Sequence, residues 1–149
     1  MIWIHLGLFV LTFLTTLIAG MPWITGQAPP WSISSLSASL PYAGSLMFII
    51  TCHEFGHYFA SRYHKIESTL PFYIPFPPIS LLNFGTMGAV IKTKGRIQDN
   101  SQMMDIGAYG PIAGFIATVI VLLYGFATLP GPEYILKIHP DYFSGIKDS

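Results

Sequence analysis

Charge is scarce in this chain. Asp, Glu, Lys and Arg supply 9% of its 149 residues, against roughly one quarter in ordinary soluble domains. Hydrophobic residues supply 52%, so lipid is the first environment the composition suggests. The seven basic residues are balanced by seven acidic ones and form no cluster, which removes nucleic acid as an expected partner. There is one cysteine, Cys52, so no internal disulfide scaffold supports the fold. The first apolar run lacks a basic stretch before it and an Ala-x-Ala site after it. It therefore reads as a retained helix in preference to a cleaved signal peptide.

Three segments are long enough to span a bilayer, which takes about 20 apolar residues. They cover residues 2–20, 42–61 and 107–129. The predicted fold class is an all-α membrane protein with about three transmembrane helices. Residues 1–129 would form the membrane-embedded part and 130–149 a polar tail. The segment 62–106 holds Arg62, Lys65, Lys92, Lys94 and Arg96, whereas the 21–41 loop holds no basic residue. By the excess of basic residues in cytoplasmic loops, 62–106 and the N-terminus share the cytoplasmic side. In the third span, Gly110 and Gly114 are spaced to let a neighbouring helix approach closely, and the expected neighbour is the one carrying the histidines.

The second span carries His53, Glu54 and His57. Ionisable groups in a spanning helix are costly and usually functional. His53 and His57 stand at i and i+4, so a helix projects both imidazoles from one face, where they can grip one metal ion. A zinc ion held by such ligands makes water acidic enough to ionise near neutral pH, and Glu54 is placed to take the proton. Peptide hydrolysis is the reaction class that follows. Chance placement of these three residues in this composition has odds of about one in three hundred, so the motif outweighs a reading as structural histidines. Cys52, about 100° round the helix from His53, reads as a small packing residue.

Between the second and third spans, Pro71, Pro75, Pro77 and Pro78 preclude a regular helix. With Phe72, Tyr73 and Phe76 they make either a re-entrant or interfacial segment or a plain connector. Ala89-Val90-Ile91 after the turn glycines favours a short strand or hairpin. A free strand edge there would pair with an unwound substrate. Lys92, Lys94 and Arg96 suit headgroup anchors.

The spanning helices and the His53-Glu54-Phe55-Gly56-His57 motif together resemble the site-2 protease family of intramembrane zinc metalloproteases. So do the stretches Phe84-Gly85-Thr86-Met87-Gly88-Ala89-Val90-Ile91 and Asp105-Ile106-Gly107-Ala108-Tyr109-Gly110-Pro111-Ile112-Ala113-Gly114-Phe115. The resemblance implies zinc as cofactor, His53 and His57 as its ligands, and Glu54 as general base. It also implies membrane-protein substrates cut within the bilayer, and a bacterial inner membrane as the location. Members of the family take a third ligand from an aspartate in a later Asn-x-x-Pro…Asp-Gly motif. Nothing after Leu129 matches that motif, and neither Asp99, Asp105, Asp141 nor Asp148 is followed by glycine. The expectation is the N-terminal part of a longer protease, interrupted by truncation. The alternatives are a catalytically inactive metal- or substrate-binding membrane protein, or a transporter fragment. The near absence of ionisable groups from the first and third spans argues against the transporter.

Overall fold

The computed structural model of the chain describes residues 2–25, 33–77, 84–97, 99–129 and 131. Apart from Gly131, the expected tail at 130–149 lies outside the described residues, as do Pro78 and Ile79 of the proline-rich segment. Residues Met1–Thr118 form one compact unit and Val119–Ser149 a second.

Long apolar runs dictate the helices. α1 spans Ile2–Thr25, α2 Ile33–Ala38, α3 Leu40–Tyr63 and α4 Asn100–Ala127. Three helical stretches, Ile2–Ile24, Leu36–Tyr63 and Asn100–Ala127, are long and apolar enough to cross a membrane. The expected number of spans is observed, but the helices outrun their apolar windows. α4 begins seven residues before Gly107 because Asp99 caps it: its side chain accepts the Ser101 N–H at 3.3 Å and its carbonyl the Met103 N–H. Polarity at 100–105 hid that extension, since helices continue beyond the hydrocarbon core.

Burial is inverted relative to a soluble protein. Trp3, Leu6, Val10 and Leu14 of α1 face outward, while Thr12, Thr16 and Ala19 are buried. Lipid solvates large apolar side chains, so small and hydroxylated residues line the helix contacts.

The end of α3 is closed by local chemistry. Lys65 adopts a left-handed φ of 58°, its N–H bonds the Arg62 carbonyl, and the Ile66 N–H reaches back to Ser61 at 2.9 Å. This is the Schellman pattern. Ile66 then packs with Ala60 and with Ile106 of α4.

The predicted strand exists as half of a hairpin. β1, Phe72–Pro75, pairs antiparallel with β2, Thr86–Val90, in the register Phe72↔Val90 and Tyr73↔Ala89. Of the proline-rich segment, residues 72–75 are therefore strand. Pro75 sits at the strand end, where its missing donor costs least. The hairpin is fastened to α1. The His5 Nδ1–H donates to the Pro71 carbonyl at 3.1 Å, Thr15 Oγ1–H to the Gly85 carbonyl at 2.7 Å, and the Phe9 ring meets Tyr73 edge-on at 5.0 Å. Gly85 has φ +79° and abuts the Thr15 and Thr16 backbone, so only glycine fits.

Candidate metal centre

α3 brings His53 and His57 together as their spacing predicts. Their ring centroids are 4.8 Å apart and their Nε2 atoms 3.1 Å apart. His57 Nδ1 lies 2.6 Å from the Ile106 carbonyl oxygen of α4. A carbonyl only accepts, so the proton sits on Nδ1, and a neutral ring keeps its lone pair on Nε2. Metal-bound histidines are held by this kind of contact. Two imidazole nitrogens on one tetrahedral zinc, each at 2.0–2.1 Å, stand about 3.3 Å apart. The observed pair is close to that separation, so these residues fit the ion. Among the described residues no third His, Cys, Asp or Glu joins them in a group able to hold a metal. That covers Cys52, Asp99 and Asp105, while Asp141 and Asp148 lie outside the described residues.

α4 lies close against the pair through its glycines. A Cβ on Gly110 would collide with the His57 ring, and one on Gly114 would stand 3.0 Å from His53 Nδ1. From the other side, a Cβ on Gly56 would meet the Tyr109 carbonyl. The expected small-residue contact therefore exists, and its partner is the histidine-bearing helix.

Glu54 is buried. The backbone N–H of Ile91, the residue after β2, is directed toward its carboxylate. One turn earlier, Thr51 Oγ1–H donates to the Met47 carbonyl at 2.6 Å. That spends its only proton, so the Tyr73 hydroxyl of β1 is the donor in its 2.8 Å contact with Thr51. Burial pushes the Tyr73 phenol above its ordinary value. The hairpin is thus tethered to α3 at Thr51 and approaches it at Glu54.

Lys92, Lys94 and Arg96 are exposed. The backbones of Lys92 and Lys94 continue the hairpin, Lys92 with Thr69 and Lys94 with Glu67. The Ile106 carbonyl, the Ile91 amide and the Thr51–Tyr73 pair escaped the sequence reading. The first two are backbone groups, to which no residue type gives a signature. The third joins residues 22 apart whose types are ordinary.

Fold and site together define a helical membrane protein with a His-Glu-x-x-His centre inside one of its spans. The profile of peptidase family M50 matches residues 41–146, and the chain belongs to that family, the site-2 proteases. It is an integral membrane protein. Among similar proteins is one named probable zinc metalloprotease EGY1, chloroplastic, of Arabidopsis thaliana. It is 30% identical over 98 residues, which are 66% of this chain and 17% of the relative. The protein of the same name in Oryza sativa subsp. japonica is 34% identical over 97 residues, 62% of this chain and 16% of the relative. A probable zinc metalloprotease EGY2, chloroplastic, of Oryza sativa subsp. indica is 30% identical over 95 residues, 64% of this chain and 16% of the relative. The chain thus spans about one sixth of the length of these relatives. No solved structure matches it.

Proposed function

We propose that residues 1–129 are the N-terminal part of the catalytic domain of an intramembrane zinc endopeptidase. His53 and His57 are two zinc ligands, Glu54 is the general base, and the third ligand comes from sequence beyond residue 129. The observation that carries this reading is the 3.1 Å convergence of the two Nε2 atoms, with the His57 tautomer held by Ile106. The names of the relatives add zinc and proteolysis.

Zinc held by His53 and His57 would supply Lewis-acid polarisation of a peptide carbonyl and would lower the pKa of water at the site towards about 7. The Glu54 carboxylate takes a proton from that water and returns it to the leaving amine nitrogen. Substrates are membrane-spanning segments of other proteins, locally unwound and laid along β2. The relatives are named as chloroplast proteins. They lend no support to the bacterial inner membrane suggested by the resemblance, so the reading stops at an integral membrane protein.

A second reading, a metal- or substrate-binding protein without turnover, is favoured by the lack of a third ligand among the described residues. The test is reconstitution of the full-length protein in lipid vesicles with a membrane-spanning reporter. About one zinc per chain, lost together with cleavage on His53→Ala, is the expected result. Zinc without cleavage supports the binder, and neither zinc nor cleavage overturns both.

A further inference from the structure

A second pair of residues joins α3 to α4 beside the metal centre. His64 Nε2 lies 2.9 Å from Asp105 Oδ2, with the His64 side chain 17% exposed and that of Asp105 43%. His64 is the C-cap of α3, and its own N–H is bonded to the Ala60 carbonyl. It follows His57 by seven residues, two turns on, so both imidazoles project from nearly the same face of α3. Their partners are consecutive on α4: Asp105 takes His64, and the carbonyl of Ile106 takes His57.

The α4 backbone needs an outside hold at this point. Pro111 lies inside the helix and has no N–H, so the Gly107 carbonyl, one residue after Ile106, has no helical donor four residues on. A helix interrupted in this way is easily displaced locally. A shift of the Ile106 carbonyl would remove the acceptor that keeps the His57 proton on Nδ1. The proton would then be free to move to Nε2, the nitrogen facing His53. The apolar contact of Ile106 with Ala60 and Ile66 resists separation of the helices but is non-directional. The His64–Asp105 bond is directional, and it fixes the residue adjoining the acceptor.

We infer that His64 and Asp105 are positioning residues, which hold the Ile106 carbonyl in register so that His57 presents Nε2 for metal binding. The inference rests on the reading of His57 as a zinc ligand. Outer partners of metal-bound histidines typically contribute 10–100-fold to metal affinity; this pair acts one residue further out, so about tenfold is expected.

The experiment measures zinc dissociation constants of the full-length protein in detergent, beside thermal unfolding and 15N histidine spectra that report which His57 nitrogen bears the proton. His64→Ala and Asp105→Ala should each weaken zinc about tenfold and reduce the Nδ1–H form of His57. The double variant should lose no more than either single one, because the two act as a unit. Asp105→Asn keeps an acceptor oxygen and His64→Gln keeps a donor at similar reach, so both should restore most of the affinity. Alanine variants with unchanged zinc affinity and tautomer overturn the inference, whatever their melting temperatures; so do losses that add, or that the conservative variants fail to relieve. His57→Ala is measured in parallel. If it keeps wild-type zinc binding, the ligand reading itself falls and this inference with it. If it loses zinc while His64→Ala does not, the inference alone falls.

Discussion

Gly110 of α4 lies directly against the imidazole of His57, so that a methyl group at this position would overlap the ring. The close approach of two helix backbones is what lets the Ile106 carbonyl reach His57 Nδ1. Gly110→Ala must displace either the ring or the helix. A loss of zinc affinity of tenfold or more is expected, measured by metal titration. Gly107→Ala is the control, because a Cβ there meets nothing within 4 Å. It should leave zinc binding alone and, by helix propensity, raise stability by up to about 1 kcal/mol. Equal zinc affinity in both variants would show that the glycine contact does not shape the centre.

Glu54→Gln removes the proton acceptor and keeps an oxygen for the Ile91 N–H. Cleavage of a membrane-spanning reporter should fall about 10²–10⁴-fold, with zinc content unchanged. Retained cleavage would remove Glu54 from the role of base. A parallel loss of zinc would mean that Glu54 supports the ligand set.

The parts of this site legible in the sequence are those with periodic or compositional signatures. His53 and His57 declare a shared helix face by their spacing, and Gly110 and Gly114 declare a close helix contact by theirs. Gly85, with φ of 79°, precedes β2, while Gly88, with φ of 97°, lies inside the strand and not in the turn that the sequence suggested. What tertiary packing supplies had no such signal. The Ile106 carbonyl acts as an acceptor only because α4 lies against α3, and any residue type would have offered the same oxygen. The Ile91 amide reaches Glu54 for a similar reason, through the register of a hairpin fastened to α1 by His5 and Thr15.

Tyr73 offers a test that depends on pH. Burial raises its phenol above the ordinary value near 10. The neutral form is therefore favoured in the folded state, and its contribution is complete below about pH 10. It is lost as pH rises through the folded-state value, because the unfolded chain then holds fewer protons. The wild-type melting temperature should fall more steeply than that of Tyr73→Phe on going above pH 10. At neutral pH, Tyr73→Phe should cost about 1 kcal/mol through the lost hydrogen bond to Thr51. Parallel pH profiles would mean that Tyr73 ionises in the folded protein as freely as in the unfolded chain.

The free edge of β2 is on the side of Glu54. Lys92 directs its N–H to Thr69 Oγ1 and accepts the Thr69 N–H, so it faces the β1 side. Ile91 directs its N–H to Glu54. Hydrogen-bonding groups alternate along an extended strand, which puts Val90 with Lys92 and Ala89 with Ile91. Proline at Val90 would therefore remove a donor aimed at β1 and loosen the hairpin, lowering stability and cleavage together. Proline at Ala89 removes a donor from the open edge, where the fold makes no use of it. If substrate adds to β2 as an extended strand, Ala89→Pro should lower cleavage of a membrane-spanning reporter tenfold or more while the melting temperature changes little. Zinc content should stay at the wild-type level, since the histidine pair is untouched. Wild-type cleavage by Ala89→Pro would rule out strand pairing at this edge. The apolar groove of α1 and α3 lined by Phe9, Phe13, Met47 and Phe48 would then be the next surface to test for substrate contact.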